Sequence, residues 1–158
     1  MSTIGFSEHD HASCIARAVR DVEARCEEAR LQLTPVRRRV LEILLDGHRA
    51  MGAYDILDLL RREGLGSQPP VAYRALDFLV KHGFAHRIEK LNAFVACTHP
   101  GADHAPAFLI CRDCSAVAEA HEARVALDES ARQSGFAVES AVIELEGLCP
   151  LCQNGAGA

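Results

Sequence analysis

Two C-x-x-C pairs place the strongest constraint on how this chain can fold. They are Cys111-Arg-Asp-Cys114 and Cys149-Pro-Leu-Cys152, and 34 residues separate them. Each pair lets two thiolates reach one ion from a tight turn, and two pairs complete a tetrahedral sulfur site that suits Zn²⁺ or iron. Because four protein ligands leave no open position, the pattern predicts a structural metal that joins two ends of a small module.

The cellular setting of the thiols decides between metal and disulfide chemistry. The first residues, MSTIGFSEHDHASC, lack the basic region and apolar core of a signal peptide, and no run of about 18 apolar residues predicts a membrane span. We therefore expect a cytoplasmic protein, in which the seven cysteines stay reduced and favour metal binding. An iron–sulfur cluster, a dithiol redox pair and chance spacing remain the alternatives.

Apolar residues recur at helical spacing in four segments before residue 84. Thr34 and Pro35 are typical of a helix start, and Gly47 of a helix end. The helices are expected over roughly residues 10–29, from Pro35 to Gly47, from Gly52 to GLGS, and from Pro69-Pro70 to Gly83. The residues expected to face the core are Ile15, Val19, Val22, Cys26, Ala29, Val36, Val40, Ile43, Leu44, Ile56, Leu57, Leu60, Ala72 or Ala75, Leu76, Leu79 and Val80.

A hairpin follows these helices. The stretches FAHRIEK and AFVAC alternate as strands do, and a two-residue turn at Leu91-Asn92 would pair Ile88 with Val95 and His86 with Cys97. That register puts His86 and Cys97 on one face, with Cβ atoms about 5 Å apart. Helices followed by a hairpin predict a winged helix-turn-helix domain over residues 1–97.

The Pro/Gly segment HPGADHAP is the expected hinge, residues 98–105. Beyond it, AFLIC, AVAEA and FAVESAVIELEG are typical of strands, and residues 122–134 of a helix. They predict a β-α-β module over residues 106–152, followed by a disordered tail at 153–158. The fold class is therefore α+β, a winged-helix domain joined to a small α/β domain.

Charge is distributed unevenly between these parts. The net charge of −5 argues weakly against nucleic acid, but residues 30–90 hold 11 basic and 7 acidic residues, whereas residues 91–158 hold 3 and 9. A basic middle beside an acidic C-terminal part indicates two modules with different partners.

A second group of metal-binding residue types remains after the four cysteines are assigned. His86 and Cys97 lie on the hairpin, His104 in the hinge and Glu119 on a strand of the second module. Each alone is an ordinary polar or structural residue, but together they could bind one ion between the modules. With a single thiolate the site should bind metal more weakly than four cysteines do, and it favours Zn²⁺. His99 and His121 are competing or auxiliary ligands.

Several stretches together resemble the ferric uptake regulator family, and within it the branch of zinc uptake regulators. They are L-T-P-V-R-R-R-V-L, A-Y-D-I-L-D-L-L, P-P-V-A-Y-R-A-L-D-F-L, G-F-A-H-R-I-E, C-R-D-C and C-P-L-C. The resemblance spans about residues 30–152 and implies a dimeric, zinc-dependent transcriptional repressor of zinc uptake genes. It implies that the winged helix binds an AT-rich palindromic operator and that the C-terminal module dimerises.

The resemblance also implies roles for single residues. It assigns a structural zinc to Cys111, Cys114, Cys149 and Cys152, and a sensory zinc to His86, Cys97, His104 and Glu119, which makes about two zinc ions per subunit. On the predicted fourth helix, Tyr73 is expected to touch a thymine methyl or stack at a base edge, and Arg74 to reach guanine or phosphate. Tyr54, Arg37, Arg38 and Arg61 are candidates for contacts to the DNA backbone, against the alternative of a solvated helix face.

One departure concerns the start of the predicted recognition helix, where the family usually has T-V-Y-R. This chain has Val71-Ala72-Tyr73-Arg74, so it lacks a hydroxyl that would cap the helix or contact phosphate, an interaction worth about 1 kcal/mol. A sensor of iron, manganese or peroxide in the same family is the first alternative function. A thiol redox switch and a zinc hydrolase are further alternatives, and the hydrolase lacks an evident nucleophile–base pair.

Overall fold

The computed structural model describes residues 11–47, 49–98, 100, 107–120, 125–139 and 141–155. These residues form two compact units, one within Glu8–Gly101 and one within Ala102–Ala158. No helix in the described ranges is long and apolar enough to cross a bilayer.

The first unit contains the four predicted helices and the predicted hairpin. Thr34 caps the second helix, because its side chain accepts a hydrogen bond from the Arg37 backbone N–H at 3.3 Å, and Pro35 occupies the first turn, where an N–H has no helical partner. The elements are α1 (His11–Glu28), α2 (Pro35–Asp46), α3 (Ala53–Arg62), α4 (Pro69–Lys81), β1 (Ala85–Ile88) and β2 (Ala93–Ala96).

The core of the first unit lies where the apolar faces of α1 to α4 meet. Most of the residues predicted to face the core are buried, and Leu41, which was not predicted, is buried as well. Two predicted core residues are wrong: Val80 is 37% exposed, and Ala29 lies beyond the end of α1 and is exposed. The buried face of α4 is centred near Leu76 and Leu79, and Val80 lies about 100° around the helix from Leu79, at the edge of that face.

The predicted hairpin register is wrong by two residues. Ile88 pairs with Ala93, and His86 pairs with Val95 instead of Cys97. Leu91-Asn92 does not form a two-residue turn, because four residues connect the strands and Asn92 takes a left-handed φ of 45°. Since the error is an even number of residues, each side chain keeps its predicted face.

Backbone hydrogen bonds tie the hairpin to the helices and to the loop between α2 and α3. Met51, in the loop between α2 and α3, exchanges hydrogen bonds of 2.9 and 2.8 Å with Phe94 on β2. The N–H of Cys97 donates to the carbonyl of Phe84 at 2.9 Å, and the N–H of Phe84 donates to Leu79 in α4 at 2.8 Å. The hairpin is therefore anchored to α4 and to the α2–α3 loop.

The described residues of the second unit form a three-stranded sheet and two helices. Strand β3 (Ala107–Cys111) lies between β4 (Val117–Ala120), which is antiparallel to it, and β5 (Ile143–Gly147), which is parallel. The predicted strand over residues 136–147 forms only at 143–147, and among the described residues 136–139 pair with no strand. The helices are α5 (Val125–Gln133), close to the predicted 122–134, and α6 (Pro150–Gln153), which was not predicted.

Candidate metal centres and nucleic-acid interface

Sheet topology brings the two C-x-x-C pairs together. Because β3 and β5 are parallel and Cys111 lies opposite Gly147, both strands end at the same edge of the sheet. Cys114 follows in the turn after β3. Cys149 follows β5 as the N-terminal cap of α6, and Cys152 lies in that helix. The C-terminal ends of two parallel strands thus deliver four thiols to one place.

The four sulfurs lie close enough together to share one metal ion. All four Sγ atoms lie within 4.8 Å of one another, and those of Cys114 and Cys149 are 3.8 Å apart. Sulfurs at about 2.3 Å from a central Zn²⁺ are about 3.8 Å apart in a tetrahedron. Cys111 and Cys149 are buried, with 2% and 4% exposure. The donor set and its spacing therefore fit a structural zinc ion.

Backbone donors prepare one thiolate in this cluster. The N–H of Cys114, followed by that of Cys149, lowers the pKa of Cys111 to about 6, and the Cys149 N–H lies 3.4 Å from the Cys111 sulfur. Desolvation, followed by contacts with the neighbouring thiols, raises the pKa of Cys152 to about 12. Without a cation, charge on one sulfur thus disfavours charge on the next. A divalent metal removes that repulsion and lets all four sulfurs ionise.

A smaller pair of metal-binding groups lies on the hairpin of the first unit. His86 is half-buried and Cys97 is 4% exposed, and their nearest ligand atoms are within 4.8 Å. Cys97 is diagonal to His86 across the hairpin, two residues beyond its partner Val95, and therefore lies on the same face. One imidazole and one thiol supply half of a tetrahedral site.

The other residues predicted for that site are placed as follows. Glu119 is half-buried on β4 of the second unit, opposite Phe108 on β3. His104 and the auxiliary candidates His99 and His121 lie outside the described residues.

Exposed aromatic and basic side chains mark one surface of the first unit. Tyr73 and Arg74 are exposed on α4, and Tyr54 is 65% exposed at the start of α3. The rings of Tyr54 and Tyr73 meet edge to face with centroids 6.5 Å apart. A surface that presents two tyrosines and an arginine to solvent is suited to contact base edges in a DNA groove.

The three other predicted DNA-contacting arginines make contacts inside the unit. Arg38 forms ion pairs with Glu23 and Glu42, and Arg61 pairs with Asp58 at 3.2 Å. Arg37 lies over the ring of Phe78. This last contact was missed by sequence reasoning, because the two residues are 41 positions apart and nothing in the local pattern links them.

Val71, at the departure from the usual family motif, packs on the turn that precedes α4. Gly66 has a φ of 151°, and a Cβ there would come within 2.6 Å of the Cγ1 atom of Val71. The two residues therefore fit closely only because position 66 is glycine. The Val71 side chain is half-buried and packs against the core of the first unit.

Comparisons with known proteins agree with this architecture. The model of the ferric uptake regulator family matches residues 28–146. The zinc uptake regulation protein of Escherichia coli K12 is 40% identical over 130 residues, which are 80% of this chain and 76% of that protein. A solved structure of a zinc uptake regulator complexed with zinc and DNA is 36% identical, covers 91% of this chain and 98% of its own, and has a TM-score of 0.84. The holo form of XcZur is 42% identical, covers 86% of this chain and 96% of its own, and has a TM-score of 0.78. By its matched family model and its relatives, the chain belongs to the ferric uptake regulator family.

Proposed function

We propose that this protein is a zinc-responsive transcriptional repressor that binds operator DNA as a zinc-loaded dimer and controls zinc uptake genes. Members of the family are transcription regulators and not enzymes, and the relatives described above are zinc uptake regulators, one of them in complex with zinc and DNA. The observation that carries the zinc response is the buried Cys97 thiol within 4.8 Å of His86, on the hairpin that is hydrogen-bonded to α4.

The four-cysteine cluster is proposed to hold a structural zinc. Its four sulfurs lie within 4.8 Å of one another, and two of them are buried at the end of the sheet. A closed set of four thiolates offers no position for exchange with solvent, which suits a permanent ion. This zinc would stabilise the second unit, whose small sheet buries few large side chains among the described residues.

A second, regulatory zinc is proposed to be bound by His86, Cys97, His104 and Glu119. His86 and Cys97 are already close together, and the family resemblance supplies the other two ligands. His99 and His121 are retained as auxiliary ligands. One thiolate with nitrogen and oxygen donors should hold zinc less tightly than four thiolates, as a sensor requires. The protein would then carry about two zinc ions per subunit.

The proposed response is a shift in population. Ligands contributed by both units let the ion favour the arrangement in which two recognition helices of a dimer match half-sites about 34 Å apart. Zinc can shift this equilibrium only by the difference between its affinities for the competent and incompetent states. In the competent state Tyr73 and Arg74 would contact bases, and Tyr54 would contact the backbone together with Arg38 and Arg61, once these arginines leave their present partners.

The second unit is proposed to form the dimer, and the cytoplasm is the proposed location. Exposed apolar side chains lie on and around its sheet and helix, including Val142, 61% exposed, and Leu145, 56% exposed. A C₂ dimer formed through this unit would present two copies of α4 to a palindromic operator.

A sensor of iron, manganese or peroxide is the runner-up function, and metal selectivity distinguishes the two. Because Cys97 supplies a thiolate, Zn²⁺ should be preferred to Fe²⁺ and Mn²⁺. We expect Zn²⁺ to raise the affinity for a labelled operator duplex, selected from a random pool by the zinc-loaded protein, by about 5- to 150-fold. Anaerobic Fe²⁺ and Mn²⁺ at the same free concentration should raise it less than twofold. A larger response to Fe²⁺ than to Zn²⁺, measured by fluorescence anisotropy, would establish the runner-up.

A further inference from the structure

Arg37 sits between the N-terminus of α2 and the side of α4. Its Cζ atom lies 3.9 Å from the centroid of the Phe78 ring, and its Nη1 donates to the carbonyl of Gln32 at 2.6 Å. The guanidinium is therefore held by a ring on α4 and by the backbone that leads into α2. A cation over an aromatic face at this distance is an attractive contact.

Phe78 connects this contact to the rest of α4. Its ring lies 4.8 Å from that of His82 and 6.5 Å from that of Phe84. Phe84 is 4% exposed, donates its N–H to Leu79 in α4, and accepts from the N–H of Cys97. Arg37 thus packs against the C-terminal half of α4, which adjoins the hairpin. Tyr73 and Arg74 lie on the N-terminal half of the same helix.

We propose that Arg37 is a positioning residue, which fixes the orientation of α4 through Phe78 and does not contact operator phosphate. The inference rests on the proposed DNA-binding function and gives Arg37 a role that is distinct from that of Arg74. Arginine suits it better than lysine, because a planar guanidinium can stack on a ring and donate in its own plane at the same time. Losing the stack would let α4 populate orientations that do not fit the DNA groove.

The salt dependence of operator binding separates positioning from phosphate contact. Each lost phosphate contact lowers the slope of log K against log salt by about 0.9. For zinc-loaded Arg37→Met we expect an affinity loss of about 3- to 30-fold, the range that a cation–π contact can supply, with the wild-type slope retained. The measurement is anisotropy with the selected operator duplex at several salt concentrations. Arg61→Met, at a proposed contact to the DNA backbone, serves as the phosphate reference and should lower the slope, whereas Arg132→Met in the second unit removes the same charge and should change neither quantity.

Two further variants test whether Arg37 acts through the ring. Phe78→Leu should reproduce the loss, and Arg37→Met combined with Phe78→Leu should lose little more than either change alone, since both remove one contact. Arg37→Lys should not restore affinity, although a lysine would preserve a phosphate contact. A reduced slope in Arg37→Met, rescue by lysine, additive losses or no loss at all would each overturn the proposal.

Hydrogen exchange provides a readout that does not depend on DNA. Amides of α4 from Leu76 to Lys81 should exchange faster in Arg37→Met than in the wild type, while those of β3 should not change. If the zinc-loaded wild-type protein selects no duplex from the random pool, the proposed function is contradicted. In that case hydrogen exchange still tests whether the contact between Arg37 and Phe78 holds α4 in place. Unchanged exchange rates in α4 would refute that role.

Discussion

Replacing Cys97 with alanine is expected to remove about one zinc ion per subunit and to abolish the zinc-dependent gain in operator binding. The proposed regulatory site has a single thiolate, so alanine takes away its strongest donor for Zn²⁺. The loss of zinc-dependent affinity should equal the whole coupling between metal and DNA, about 5- to 150-fold. Zinc content by mass spectrometry and operator affinity by anisotropy, measured on the same samples, would show both effects.

The matched control for this variant is Cys14→Ala, which removes an exposed thiol from α1. It should leave both the zinc content and the operator affinity unchanged. Cys97→Ala should still retain its structural zinc and its helical circular dichroism, because the four-cysteine cluster lies in the other unit. Normal zinc-dependent binding by Cys97→Ala would show that the regulatory ligands have been assigned wrongly.

Replacing Cys149 with serine is expected to unfold the second unit and to abolish dimerisation. Cys149 is 4% exposed and its Sγ is 3.8 Å from that of Cys114, so the substitution removes a buried thiolate from the cluster of four. Structural zinc binding by such thiolates contributes about 10–16 kcal/mol to folding. That is more than a unit with so small a sheet can replace by apolar burial.

Sedimentation and limited proteolysis can measure this loss. We expect Cys149→Ser to sediment as a monomer, to bind no structural zinc, and to be cleaved rapidly between residues 107 and 155. The first unit has its own core and should remain protected. A zinc-bound, protease-resistant dimer of Cys149→Ser would contradict the structural role of the cluster.

Local rules were sufficient where residues act over short distances. The ends of α2 follow from Thr34, Pro35 and Gly47, because caps and proline act on their own helix. The convergence of the cysteines could be predicted for a similar reason. Each C-x-x-C pair defines its own turn, and a parallel β-α-β connection brings the ends of its strands to one edge.

The sequence was insufficient where partners are distant or several turn geometries compete. The hairpin register depended on the length of its turn, and left-handed Asn92 gives a four-residue connection where two had been expected. His86 and Cys97 nevertheless remained neighbours, because a shift of two residues preserves the face of a strand. The contact of Arg37 with Phe78 joins two helices and follows only from their packing.

A zinc titration of the wild-type protein tests the central claim most directly. Starting from protein that carries one zinc per subunit in the four-cysteine cluster, bound zinc and operator affinity are measured together at each addition. We predict low affinity at one zinc per subunit and a rise that tracks the binding of the second ion, reaching about 5- to 150-fold at two. Full operator affinity at one zinc per subunit, or a second ion that binds without changing affinity, would contradict a structural zinc and a regulatory zinc with separate roles.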